Sequence, residues 1–211
     1  MLTSPPPRAT IPRLDQLDLV LDTGRLRLRP FRDADVDDLW PLVSDPELPR
    51  MMSWSAHTER SQTAEFIRHV NQAPTNGTGV VWAIEVDGRA QGCIGLESMQ
   101  FALRAWRVDR AELGYWIAPA LRGHGLMTEA AHAAVRTGFE TIGLHKVTVG
   151  CIAENIGSRR VIEKLGFRAV GRLEDDVWRD GRWWSHLRYE LTASEWTDVT
   201  TTMRVSRPRL P

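Results

Sequence analysis

One segment constrains the fold of this chain more than any other: residues 113–129, LGYWIAPALRGHGLMTE. A strand-like run ends at Pro119, which has no N–H to give a β-ladder. A short loop with two glycines, Gly123 and Gly125, follows, and then a helix opens. Glycine lets the backbone come close to an anion, and the first turn of a helix has N–H groups without intrahelical partners. A strand–loop–helix unit of this kind is suited to hold a phosphate group.

The composition narrows the class. The chain has 211 residues, enough for one sizeable core, and 27 basic residues balance 27 acidic ones. No bulk charge points to nucleic acid or a membrane surface as a partner. No apolar run approaches the roughly 20 residues that cross a bilayer. Residues Met1 to Pro12 include three consecutive prolines, Pro5 to Pro7, and no apolar stretch of the secretory kind. Cys93 and Cys151 form no CxxC pair, so free thiols in a cytoplasmic protein are expected. The six histidines show no HxxxH or HExxH spacing, and no metal is expected.

Periodicity divides the chain into an irregular proline-rich arm (1–20), a single domain (21–197) and a polar tail (198–211). Leu26 to Arg29 alternates as a strand. Asp33 or Asp35 caps a helix through Val36, Leu39, Trp40 and Val43, and a second helix runs from about Glu59 to Asn71. Val80 to Val86 meets the hairpin turn Asp87-Gly88, with Ala90 to Met99 returning and Arg110 to Ile117 next. Met127, Ala131, Ala134, Val135 and Phe139 recur at helical spacing after the glycine loop. Lys146 to Ile152 is a strand, and Ile156 to Leu165 a helix stopped by Gly166. Phe167 to Glu174 and Trp183 to Leu191 close the domain around Asp180-Gly181. The expectation is a mixed α/β fold with a mostly antiparallel sheet of about seven strands and about four helices.

Together these motifs resemble the GNAT family of acyl-CoA-dependent N-acyltransferases, and within it the RimJ/RimL-like branch. The matching residues are Arg25 to Pro30 with Asp33-Ala34-Asp35, Ala111 to Ile117 with Pro119, and Arg122-Gly123-His124-Gly125 with Thr128-Glu129-Ala130. Asn155-Ile156-Gly157-Ser158, Glu163 to Phe167, Gly181-Arg182-Trp183 and Glu195-Trp196 complete the set. The chain departs from the pattern at Ala120, where the loop often begins with Gln or Arg. It departs also at Ile162, where many relatives carry a tyrosine acid, and at Ser185, near a frequent aspartate.

The resemblance implies an acetyl-CoA-dependent N-acetyltransferase that moves an acetyl group to a primary amine in a direct ternary complex. It implies a strand pair that splays to admit the pantetheine arm, with Ile117 and Ala118 offering backbone groups to it. Arg122, Gly123, His124, Gly125, Leu126, Met127 and Thr128 would surround the pyrophosphate, bound mostly through backbone amides, with His124 a solvent-facing spacer. Asn155 would touch the pantetheine arm while capping its helix, and Ser158 would serve the leaving thiolate as acid or hydrogen-bond donor. Glu112 would be the general base, directly or through a water; its ordinary pKa of about 4.3 calls for burial or for such a relay. Glu85 and Glu97 are alternatives on neighbouring strands. Cys151, with no histidine partner placed by the sequence, reads as a structural thiol.

The first two helices and the last hairpin of such folds flank the acceptor. Met51, Met52, Trp54, Trp178, Trp183 and Trp184 are candidate walls, and Met52, Trp54, Trp183 and Trp184 are named as substrate-binding. Arg104, Arg107 and Arg110 form a basic stretch that either solvates a hairpin or attracts an acidic protein tail. The acceptor stays open between a protein N-terminal α-amine, which is favoured, and a small amine such as an antibiotic, polyamine or amino-acid derivative. A non-catalytic acyl-CoA-binding module is the reading from another class. The branch likeness also allows a homodimer.

Overall fold

The computed structural model describes residue 7 and residues 10–196. The polar tail expected at 198–211 lies outside the described residues, as do residues 1–6, 8 and 9 of the arm. Eight strands form one sheet: β1 (Leu21–Asp22), β2 (Arg27–Arg29), β3 (Val80–Val86), β4 (Arg89–Leu103), β5 (Trp106–Ile117), β6 (Lys146–Ile152), β7 (Arg168–Arg179) and β8 (Arg182–Thr192). Their spatial order is β1-β2-β3-β4-β5-β6-β8-β7. Among the described strands only β5 and β6 pair in parallel. Among the described residues four helices of nine residues or more accompany the sheet, α1 (Asp35–Val43), α2 (Arg60–Asn76), α3 (Leu126–Arg136), extended by the π-helical turn Thr137–Ile142, and α4 (Ile156–Lys164), and residues 193–196 are helical after β8.

The sheet has a core on each face. Ile94, Leu113, Val147 and Val149 pack with Ala130, Ala134 and Ile162 of α3 and α4. Val81, Ala83, Cys93 and Trp116 pack with Leu39 of α1 and with Ile67 and Val70 of α2. The run Val80 to Ile84, buried throughout, follows from this double cover. Each large aliphatic residue fully buried here contributes about 1.5–3 kcal/mol.

Several boundaries differ from the expectation. The eighth strand is β1, two residues paired to Leu28 and Arg27. In the arm, Leu14 is buried and the carbonyl of Leu19 accepts the Trp82 indole N–H at 2.8 Å. Asp35 does not cap α1: it is the first helical residue, and no side chain caps Ala34 before it. Its carboxylate instead accepts the Arg32 N–H at 2.7 Å and pairs with the buried Arg29. Helix α2 runs past Asn71 and through Pro74 to Gly77, whose φ of 68° supplies the left-handed stop. The β4–β5 hairpin extends to Leu103 and Trp106, so the basic stretch lies on its strands and tip. Arg110 is held there by Gln100 and Arg107 by Asp109.

Candidate active site

The site starts where a ladder stops. β5 and β6 pair from Arg110↔Lys146 to Glu112↔Thr148 and no further, although β5 continues to Ile117 and β6 to Ile152. The backbone groups left open follow from alternation. The Ala118 N–H bonds the Gln91 carbonyl at 2.7 Å, so Ala118, Trp116 and Gly114 turn their polar groups to β4. Tyr115 and Ile117 turn theirs towards the gap. On β6, the Ala153 N–H bonds Ser185 at 3.0 Å, which leaves Gly150 and Ile152 facing the gap from the other side. The V-shaped opening thus has strand edges ready for an extended amide chain. Of the two residues expected to offer backbone groups, Ile117 keeps that position; the N–H of Ala118 is already spent on Gln91.

The glycine loop closes one arm of the V. Gly123 and Gly125 have φ of 82° and 78°, a region costly for residues with a Cβ. The N–H groups of Gly123, His124, Gly125, Leu126, Met127 and Thr128 meet no acceptor among the described residues, and the first helical bond runs from Glu129 N–H to Gly125 at 3.1 Å. The side chains of Leu126 and Met127 are buried, so these residues offer amides, while Arg122 and His124 are exposed. Arg25 braces the loop from β2's side. Its Nη1 donates to the His124 carbonyl at 2.9 Å and its Nε to Glu129 Oε2 at 2.7 Å. Burial pushes the Glu129 carboxyl up, but hydrogen bonds from Thr23 and Arg25 outweigh it and hold the pKa below its ordinary value. On α4, the buried Nε of Arg159 has no hydrogen-bond partner among the described residues. An anionic, amide-bearing ligand would satisfy all of these groups, so the residues present fit acetyl-CoA.

The other arm ends at α4. Asn155 Oδ1 caps that helix by accepting the Ser158 N–H at 3.0 Å. Ser158 Oγ lies 2.8 Å from the hydroxyl of Tyr115 across the V. Burial raises the pKa of Tyr115 well above its usual range. Burial also raises that of Cys151, whose thiol meets Ser158. A thiol held protonated is a poor nucleophile. Ile162, at the family's tyrosine position, is fully buried.

The face of the sheet towards α1 and α2 is acidic. Glu97 and Glu112 are direct partners on β4 and β5. Glu112 is half exposed, 3.4 Å from Arg188 Nη1, so the burial expected to activate it is absent. Glu97 as a residue is exposed, yet its carboxyl lies down on the sheet: Oε1 is about 3 Å from where a Cβ on Gly95 or Gly114 would stand. Burial there, and then the charge of Glu112, push the Glu97 pKa up. Glu85 is engaged elsewhere, by Arg29 and Arg32.

Aromatic walls flank this face. The Trp54 ring lies 6.1 Å from that of Trp116. Arg179, at the β7–β8 tip, donates to the carbonyls of Met52 and Trp54, and its own carbonyl accepts the Trp184 indole N–H. The structure therefore brings Met52, Trp54 and Trp184 together. Trp183 points to the opposite face of β8, against Trp178 with ring centroids 5.4 Å apart. Sequence reasoning did not single out Arg25 or Arg159. Arg25 stood within a quoted motif, whereas nothing in the spacing marks Arg159.

A family model for the acetyltransferase (GNAT) domain matches residues 25–168. The uncharacterised N-acetyltransferase YoaA of Bacillus subtilis is 27% identical over 77% of this chain and 90% of its own length. The [ribosomal protein uS5]-alanine N-acetyltransferase of Escherichia coli is 35% identical over 40% of this chain and 44% of its own. The structure of RimL, a ribosomal L7/L12 α-N-protein acetyltransferase in complex with coenzyme A, superposes with a TM-score of 0.76 at 17% identity. It covers 83% of this chain and 99% of that one. The chain belongs to the GNAT family and is an acetyl-transferring enzyme.

Proposed function

We propose that this enzyme transfers the acetyl group of acetyl-CoA to a primary amine, with a protein N-terminal α-amine of the ribosomal-protein type favoured. The observation that carries this is the V. Its open strand edges at Tyr115, Ile117, Gly150 and Ile152 run from the unpaired amides of the Gly123–Gly125 loop to the carboxylates of Glu97 and Glu112. When bound, acetyl-CoA supplies an activated thioester. The amides of residues 123–128 hold its pyrophosphate, and Arg159 adds charge on the α4 side. The N–H of Tyr115 or Ile117 faces the gap and can stabilise the oxyanion. Asn155 and Ser158 stand at the thiol end, where the Ser158 hydroxyl, polarised by Tyr115, donates to the thiolate.

Glu97 and Glu112 give the acceptor side a negative charge that attracts an ammonium. Glu112 accepts a proton from the attacking nitrogen, directly or through a water, since solvent reaches it. The α-amine reading draws support from the uS5-alanine and L7/L12 acetyltransferases among the relatives.

A screen of amines and N-terminal peptides with acetyl-CoA, read by mass spectrometry, tests this. Wild type should add one acetyl group to an α-amine. Glu112→Gln should lose turnover by about 100-fold or more while binding acetyl-CoA unchanged. Saturable acetyl-CoA binding with no amine acetylated would favour a non-catalytic module.

A further inference from the structure

We propose that His186, held by Asp176, is a second proton acceptor in this site and the one that deprotonates the ammonium of the acceptor. The proposal rests on the acetyl-transfer reading above.

A bulge builds the pair. β7 and β8 are in register at Leu173↔His186 and resume at Val177↔Trp184, so Glu174, Asp175 and Asp176 all stand against Ser185. Asp175 takes up the extra chain with a φ of 48°. Ser185 is buried and fixes the distortion: its hydroxyl donates to Glu174 Oε2 at 2.6 Å and accepts the Asp175 N–H at 3.3 Å. Bulges re-aim side chains. This one brings Asp176 Oδ2 to 3.2 Å from His186 Nδ1.

A carboxylate at Nδ1 keeps the ring proton there and leaves the Nε2 lone pair free. Nε2 lies 3.3 Å from where a Cβ on Gly150 would stand. Gly150 belongs to the stretch of β6 that has left β5, so the basic nitrogen stands over the open wall of the V. The charged groups facing it are Asp176 from β7, Arg188 from β8, with Nη1 3.2 Å from the same point over Gly150, and Glu112 from β5 on that arginine. Glu154, just past β6, pairs with Arg182.

Two acceptors suit the proton count. An ammonium must lose two protons to become an amide nitrogen. An α-amine has a pKa of about 7.8 against about 4.3 for a glutamate and about 6.5 for a histidine. The first transfer is thus uphill by roughly 3000-fold to a glutamate and only about 20-fold to an imidazole. In the proposed sequence the ammonium gives one proton to His186 Nε2, and the freed lone pair forms the N–C bond to the thioester carbonyl. The nitrogen then gives its second proton to Glu112. The C–S bond breaks with its electrons on sulfur, and the sulfur takes a proton from Ser158, which Tyr115 and solvent restore. His186 and Glu112 return their protons to water. The sum is amide, thiol and one released proton.

The test uses the full chain, acetyl-CoA and an alanine-starting peptide, or the amine that the screen returns. kcat/KM is followed with pH for wild type, His186→Gln and Asp176→Asn. His186→Gln should lose about 100-fold or more at neutral pH together with the acid limb of the profile. Asp176→Asn should shift that limb, and added imidazole should restore part of the activity of His186→Ala. His186→Gln within about twofold of wild type, with the limb intact, would overturn the proposal. Nitrogen NMR of the ring gives a reading independent of turnover: the neutral ring should carry its proton on Nδ1. A proton on Nε2 in wild type would also overturn it. If wild type acetylates no amine, the transferase reading fails, and the NMR result judges the His186–Asp176 pair alone.

Discussion

Tyr115 and Ser158 meet hydroxyl to hydroxyl at 2.8 Å across the mouth of the V, one from β5 and one from α4. The contact joins β5 to the helix that follows β6, beyond the point where the two strands have parted, and in the proposed reading it sets the hydroxyl beside the leaving thiol. Ser158→Ala should lower kcat by about 10- to 100-fold, the worth of a hydrogen bond to a charged group, with little change in acetyl-CoA affinity. Tyr115→Phe should cost less in kcat and about 1 kcal/mol in stability. Steady-state kinetics and urea melts check both; a Ser158→Ala enzyme with wild-type kcat would remove Ser158 from the chemistry.

Glu129 and Arg25 hold the glycine loop in shape from outside it. Glu129→Gln should weaken acetyl-CoA binding several-fold, seen by calorimetry, with a fold near wild type in stability, because the pair is partly exposed. The folded pKa of Glu129 is lowered. Its contribution is therefore complete above the ordinary carboxylate pKa and is lost as pH falls through the lower folded value. Wild type and variant should converge in acid.

Glu97 has the opposite sign. Its folded pKa is raised, so between the unfolded and folded values the native state holds the proton more tightly and stability falls as pH rises. Glu97→Gln should melt at a higher temperature than wild type at neutral pH, with the gap closing as pH falls below the unfolded pKa. A gap that widens in acid would contradict the placement of this carboxyl over Gly95 and Gly114.

Arg29 and Asp35 form a buried, two-pronged ion pair at 2.7 and 2.8 Å that fastens α1 to β2. Removing Asp35 leaves the buried Arg29 guanidinium with Glu85 as its remaining charged partner. Asp35→Ala should destabilise by about 3 kcal/mol, the lower end of what a broken buried ion pair costs, measured by denaturant unfolding. The pair lies away from the V, so catalysis in the residual folded fraction should be normal.

Much of this was legible in the sequence because local rules and tertiary demands agree there. The run into Pro119, the glycines at positive φ and the buried stripe Met127, Ala131, Ala134, Val135 all follow from residue type and spacing. The Asn155 cap did too. The Asp176–His186 pair was not legible, because it depends on three residues of β7 standing against Ser185, and a register shift leaves no periodic mark. The same serine, read from sequence only as a missing aspartate, turns out to prop that bulge. Trp183 and Trp184 looked equivalent as neighbours, and strand alternation sends them to opposite faces. Glu112 was legible as an acidic residue bordering the apolar run Leu113 to Ile117, but its exposure and its partner Arg188, 76 positions away, leave no mark in the local pattern.

The most direct measurement is a calorimetric titration of wild type and Gly123→Glu with acetyl-CoA, free CoA and ATP. The account predicts saturable binding of both CoA species, weak or no binding of ATP, and loss of CoA binding when a carboxylate is put into the loop. A folded wild-type protein that binds neither CoA species would contradict it.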